Sequence, residues 1–366
     1  MKSLRLMALL LVLLGPTSQA ESLFDSEDGN LDLSHYLLNQ KGFLPVPILI
    51  TEPALDYGGG IGALWFNESF AEKQASEGQF AVPTMGGLFG FKTGNGSWGA
   101  GGGYFIPLDH DRYRYLGGAG KFNLNLDYYS LSGQQNAYAF EGVGLIQQLL
   151  ARIGDSNWFI GPRYVYARTE AQFASNRPAE IIPNNLDIQI GQLSLLIDYD
   201  SRNNLLTPSA GSFIEAELGA VREALGANVE YNSFNLRGYH YQALGKQWIL
   251  GLRADQRIVG NDAPFFALPY ITLRGIPALR YQDSKTSVLE TELRWNLNSR
   301  WALVGFVGAG KAYGKRDSWD DSELVVAGGG GFRYLIASKL GLYVGADVAR
   351  GPEESAVYIQ VGSAWR

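Results

Sequence analysis

An arginine set among apolar residues and prolines is the first feature of this sequence that could do chemistry. The segment reads, in order, Leu273, Arg274, Gly275 and Ile276. Pro269 and Pro277 flank it, which argues against a helix interior or a central strand. We therefore predict a loop that packs back onto the protein. A guanidinium can hold a carboxylate through two parallel hydrogen bonds, and such a pair would fix the orientation of this loop.

Other residue types give no sign of catalysis. The three histidines, His35, His110 and His240, lie far apart without metal-ligand or catalytic-triad spacing. The glycine runs at 58–62 and 328–331 do not lie between a strand and a helix, as a phosphate-binding loop requires. We therefore expect no enzymatic activity, no metal ion and no cofactor.

The composition indicates an exported protein that does not bind nucleic acid. Residues 1–20 have a basic start, a short apolar run and a small-residue cleavage site, which predicts a signal peptide. The chain has 30 basic and 36 acidic residues, a net charge of −6, which excludes a broad nucleic-acid footprint. It has no cysteine, so disulfides and thiolate metal sites are excluded.

Short segments with alternating side chains predict the fold. In residues 288–297, Glu290 and Glu292 share one face with other polar residues, and Leu289 and Leu293 share the opposite face. An apolar face opposite an ionic face is typical of a barrel strand whose outer side chains contact lipid and whose inner side chains contact water. Glycine and aromatic residues are also abundant, with 46 glycines and 13% aromatics. We predict an all-β fold, a 16-stranded transmembrane antiparallel β-barrel.

The predicted organisation has three parts. Residues 1–20 are the signal peptide, residues 21–50 are a short N-terminal segment with a helix near 34–41, and residues 51–366 form the barrel. The first predicted strand covers 56–66. Residues 111–131 are divided into two strands, 111–118 and 121–131, because one strand there would give an odd count of fifteen, whereas bacterial single-chain barrels have even counts.

Three motifs resemble the BamA/TamA superfamily of outer-membrane assembly and translocation barrels, the bacterial surface antigen type. The first is the arginine–glycine segment, which follows predicted strand 11. The second is a turn between predicted strands 8 and 9, which contains Asp200, Arg202, Asn203, Pro208 and Gly211. The third is ETELRW followed by GFVGAGKAYG, which look like strands 12 and 13 of the family.

The resemblance implies a location in the bacterial outer membrane and a role in inserting or translocating proteins or lipids. Partners would be outer-membrane lipid and an exported client protein or a separate periplasmic carrier. Two departures from the family pattern matter. The segment before the barrel has no room for a client-receiving POTRA domain, and Gly308 stands where the family often has an aspartate that receives the loop arginine.

The resemblance also suggests a place for the arginine loop. We predict that this long external loop folds into the lumen and that Arg274 pairs with Glu292, or as second choice with Glu290. Gly308 would leave space for the guanidinium, which could stack on Phe306. The alternative is that Arg274 only stabilises the barrel wall.

Family members are thought to open between their first and last strands, a junction that we call the seam. Glycines would weaken strand pairing at the seam. The predicted seam residues are Gly58, Gly59, Gly60, Gly62 and Trp365. The alternative is that these glycines only allow tight packing of the wall. For the whole protein, the alternative function is a passive pore that the loop occludes.

Overall fold

The computed structural model describes residues 23–77, 82–129, 135–173 and 185–365. The predicted signal peptide, residues 1–20, lies outside the described residues. Within them, none of the helices has the length and apolar character needed to cross a membrane.

Sixteen antiparallel strands, each paired with the next one along the chain, form a nearly closed barrel. The first eight strands are β1 Gly42–Ile50, β2 Gly58–Phe66, β3 Met85–Thr93, β4 Trp98–Leu108, β5 Tyr113–Tyr129, β6 Gln135–Arg152, β7 Trp158–Phe173 and β8 Asn185–Asp200. The second eight are β9 Gly211–Val221, β10 Tyr231–Leu244, β11 Trp248–Val259, β12 Lys285–Asn296, β13 Trp301–Tyr313, β14 Val325–Ala337, β15 Leu342–Arg350 and β16 Ser355–Val361. The predicted fold class and strand count are confirmed.

The strand register separates two chemically different faces. On the outer face, Leu289 and Val307 are exposed, and Trp248 stacks on its cross-strand partner Trp295 at 5.2 Å. Side chains at the alternate positions point to the inner face, where Glu290 is buried. Exposed apolar residues opposite an ionic interior are the pattern of a membrane barrel.

The correct strand count results from two errors that offset each other. The barrel begins at Gly42 rather than at residue 51, because GFLPVPILI forms β1. Pro45 and Pro47 are two residues apart, so their nitrogens lie on the same side of the strand. An edge strand tolerates this, and β1 pairs only with β2.

The second error lies in β5, which is one strand of 17 residues rather than two. The glycines at the predicted break between residues 118 and 121 continue the ladder, with Gly118 opposite Gly103 and Gly120 opposite Gly101. A Cβ on Gly101 or Gly103 would approach a β5 carbonyl oxygen to 2.7 or 2.6 Å, so glycine permits the close approach of these strands.

Because the strands alternate in direction, connections that follow even-numbered strands share one end of the barrel. This end carries the turns 109–112, 153–157 and 297–300, and also the residues before β1. The described parts of the connection between β2 and β3, residues 67–77 and 82–84, lie at the same end. Two helices lie there: α1, Ser34–Asn39, precedes β1, and α2, Phe70–Glu77, follows β2. We call this the turn end.

Candidate functional site

The loop between β11 and β12 brings Arg274 to the inner face. Its Nε and Nη2 both donate to Glu290 Oε1, at 3.1 and 2.8 Å, and its Nη1 donates to Asp347 Oδ2 at 2.8 Å. The guanidinium carbon lies 3.5 Å from the centre of the Phe306 ring. One arginine therefore joins the loop to β12, β13 and β15.

The structure brings both predicted carboxylates to Arg274, but in the reverse order of preference. Arg274 Nη1 lies 2.8 Å from Glu292 Oε2, yet that oxygen accepts no directed hydrogen bond. Glu290, the second choice, accepts two. We therefore treat Glu292 as an electrostatic neighbour and Glu290 as the anchoring partner.

Asp347 is the partner that sequence reasoning missed. It lies on β15, is fully buried and also accepts hydrogen bonds from Arg333 Nη1 and Nη2, at 2.5 and 3.0 Å. One carboxylate thus connects two arginines. Its only signal in the sequence is a lone acid in the strand LYVGADVAR.

Apolar loop residues pack beside the arginine. Ile271, Leu273 and Ile276 form a buried cluster with Val288 and Val325 of the inner face. Burial of these side chains holds the loop against the wall.

Gly275 makes the sharp turn of the loop possible. Its φ is +90°, and a Cβ there would come within 3.0 Å of the backbone at Arg350 and Gly351. Its N–H donates to the Tyr358 hydroxyl at 2.9 Å, which adds a contact with β16. The left-handed conformation and the close approach both require glycine.

Gly308 does not leave space for the guanidinium as predicted. A Cβ at this position would lie 2.5 Å from Leu273 Cδ2 and 3.2 Å from Glu290 Cγ. The space above Gly308 is therefore filled by the loop leucine. The stacking on Phe306 was predicted, but it does not depend on this gap.

Placing an aspartate at Gly308 should harm this protein. In Gly308→Asp, the new side chain would collide with Leu273 and place another acid beside Glu290. We expect a loss of about 1–3 kcal/mol from overpacking alone. Urea unfolding of the purified barrel in detergent would measure it, with Gly305→Ala as control, because a Cβ at Gly305 meets no atom within 4 Å and alanine adds no charge to the outer face. Equal stability of the two variants would contradict the packing of Leu273 over Gly308.

A second arginine extends the network toward the barrel interior. Arg253 on β11 pairs with Asp255, donates to Glu290 Oε2 at 3.0 Å and donates to Thr272 Oγ1 at 2.8 Å. Glu290 therefore bridges two arginines, and the loop is held at Thr272 as well as at Arg274.

The predicted seam residues need correction. The four glycines from Gly58 to Gly62 lie on β2, which pairs with β1 and β3, so they do not border the gap between the ends of the sheet. Trp365 lies on the inner face beyond β16, where it stacks near Tyr239 and donates from Nε1 to Glu290 Oε2 at 2.9 Å. It belongs to the arginine network.

The predicted turn motif forms one compact structure at the turn end. Arg202 holds Asp200 through two hydrogen bonds of 2.9 and 2.8 Å, and Asn203 Oδ1 accepts from the N–H groups of Ser209 and Ala210. Pro208 is fully buried. At Gly211, φ is +94° and a Cβ would lie 2.2 Å from Ser201 O, so only glycine fits.

This turn also contacts the β14–β15 turn and the residues after β16. Asn204 Nδ2 donates to Leu340 O at 2.8 Å, and Leu206 O accepts from Ser363 N at 2.6 Å. The turn end is thus crossed by backbone that links β8 and β9 with β14, β15 and the residues after β16.

These features define a 16-stranded barrel of the outer-membrane type, with a charged inner network tied to one long loop. Its fold is similar to that of BamA from Haemophilus ducreyi lacking POTRA domains 1–3, with a TM-score of 0.60 and 12% identity. CdiB from Acinetobacter baumannii gives 0.58 and 12%, and CdiB from Escherichia coli gives 0.62 and 9%.

The similarity covers 88% of this chain for BamA and 87% for each CdiB. In the other direction, the chain spans 69% of that BamA chain and 59% and 62% of the two CdiB chains. No family model and no curated protein matches the sequence. The resemblance to BamA/TamA barrels is confirmed for the fold.

Proposed function

We propose that this protein is an outer-membrane barrel that inserts or translocates exported polypeptides by opening between β1 and β16. Its partners are outer-membrane lipid and an exported client protein, and its action does not involve enzymatic chemistry. The similarity to BamA and CdiB barrels supports this assignment.

One observation carries the proposal. Every strand from β1 to β16 pairs with its neighbours in chain order, but none of the described strand pairs joins β16 to β1. Both strands therefore present an edge with backbone groups that a further strand could pair with. Membrane barrels normally close this edge, because unpaired backbone groups are costly in hydrocarbon.

Reversible locking of this edge tests the proposal. The natural chain has no cysteine, so Phe43→Cys on β1 and Ile359→Cys on β16 introduce a single pair of thiols, which a reducible bifunctional cross-linker long enough to span the seam can join. In proteoliposomes given an unfolded outer-membrane protein as client, we expect locking to abolish client insertion and cleavage of the link to restore it.

The matched control is Phe43→Cys with Trp65→Cys, because these positions are already opposite each other on β1 and β2. This link should leave insertion unchanged. If the β1–β16 link leaves client insertion at the level of the control, the seam is not the route.

The alternative function is a pore occluded by the β11–β12 loop, which packs on the inner face. Single-channel recordings of the protein and of a variant lacking residues 262–283 would separate the two functions. A steady conductance that rises on deletion would favour the pore. The backbone that crosses the turn end, from Asn204 to Leu340 and from Leu206 to Ser363, favours a closed channel even after deletion.

A further inference from the structure

Arg300 is the centre of a separate ionic cluster at the turn end of the barrel. It lies in the turn between β12 and β13, and its guanidinium contacts three acids of the segment before β1. The distances are 2.6 Å to Asp25, 2.6 Å to Asp28 and 2.5 Å to Asp32. The Arg300 side chain is only 5% exposed, and each of its three guanidinium nitrogens donates to one of the three acids.

The same segment is hydrogen-bonded to the end of β14 and the turn after it. Leu33 N donates to Ile336 O at 2.7 Å, and the Tyr334 hydroxyl donates to Leu31 O at 2.7 Å. Lys339 N donates to Ser34 Oγ at 2.9 Å. Residues 25–34 are therefore fastened to the β12–β15 side of the barrel.

The next residues reach the opposite side of the seam. Helix α1 contacts β14 and the turn 338–340 on one side and α2, which follows β2, on the other, and Lys41 lies 3.4 Å from Glu72 of α2. Ser69 and Glu72 form a capping box: Ser69 Oγ accepts from Glu72 N, and Glu72 Oε2 accepts from Ser69 N. This box fixes the first turn of α2, on which the strap rests.

The edge strands β16 and β1 lie between these two attachments. Residues 23–41, which we call the strap, therefore cross the unpaired seam at the turn end and continue directly into β1. We propose that the strap holds the seam shut and that release of Arg300 from its three acids is the step that permits β1 to move. This inference rests on the proposed seam function.

Two acids of the strap, Asp28 and Asp32, are ionised near neutral pH. The hydrogen bond from Arg300 lowers the pKa of Asp28. Burial by itself raises the pKa of Asp32, but hydrogen bonds from Ser338, Ser34 and Arg300 outweigh burial and hold that pKa well below its usual value. In their ionised forms, Asp28 and Asp32 stabilise the attachment of the strap to Arg300. This stabilisation is complete above the usual aspartate pKa of about 3.9 and is lost as the pH falls below that value. Release at physiological pH therefore needs a competing partner or force rather than protonation.

Distance measurement across the seam tests the strap without any client. Spin labels on Phe43→Cys and Ile359→Cys report the distance between β1 and β16 at the turn end in liposomes. We expect Arg300→Met to raise the population of long distances by roughly tenfold or more, because removing one partner of a buried ion pair is strongly destabilising. The matched control is Arg112→Met, an exposed arginine in a turn at the same end.

A milder variant keeps the test decisive if Arg300→Met does not fold. Asp25→Asn with Asp28→Asn leaves the pair of Arg300 with Asp32 in place and should shift the distances in the same direction by a smaller factor. If the folded variants keep the distance distribution of the Arg112→Met control, the strap does not hold the seam. That result would leave the client-insertion assay, and hence the proposed function, unaffected.

Discussion

Replacing Arg274 with methionine is expected to lower the free energy of unfolding by about 3–5 kcal/mol, because it removes one partner of a buried ionic network. The change leaves Glu292 without its nearest cation, and Glu290 and Asp347 keep only Arg253 and Arg333, respectively, as cationic partners. Methionine keeps most of the side-chain volume, so the loss reports charge rather than packing. Urea unfolding in detergent, followed by tryptophan fluorescence, would measure it, because Trp365 donates to the same Glu290.

Arg280→Met is the matched control within the same loop. Arg280 pairs with Glu353 at 3.1 Å, but both side chains are partly exposed. Exposed ion pairs contribute only about 0–1 kcal/mol, so the control should be nearly neutral. Similar losses in the two variants would mean that Arg274 has no special place in the loop.

The second large effect is expected at Asp347. Asp347→Asn keeps the shape of the side chain but removes the charge that faces both Arg274 and Arg333. Two buried guanidinium groups would then share an amide that also brings donors of its own. We expect about 3–5 kcal/mol of destabilisation, by the penalty for an uncompensated buried charge.

Asp187→Asn provides the comparison for this variant. Asp187 on β8 lies 3.6 Å from Arg168 on β7, and its side chain is half exposed. Its loss should be within about 1 kcal/mol. If Asp347→Asn unfolds at the same urea concentration as Asp187→Asn, the bridge between the two arginines does not stabilise the barrel.

Much of the fold could be predicted because strand alternation is a local property. Glu290 and Glu292 were placed on the inner face from the residues around them, and the structure puts both beside Arg274. The loop itself was predicted from Pro269, Pro277 and the apolar residues between them. These inferences need only neighbours in the chain.

The remaining parts depend on contacts between distant segments. Asp347 is 73 residues after Arg274, and alternation within β15 gives its face but not the loop that covers it. Likewise, the prolines of β1 argue against a strand when the segment is taken by itself, since its edge position is a property of the whole sheet. Arg300 gave no signal, because its three acids lie more than 260 residues earlier.

Coupling between Arg274 and Asp347 is the most direct test that one arginine ties the loop to the far strands of the barrel. A double-mutant cycle combines Arg274→Met with Asp347→Asn and measures the free energy of unfolding of all four proteins. We predict that the double variant loses less than the sum of the single variants by at least about 1 kcal/mol, because the two changes remove one shared interaction. Losses that add within about 0.5 kcal/mol would show that the two residues act independently and that Arg274 does not tie the loop to β15.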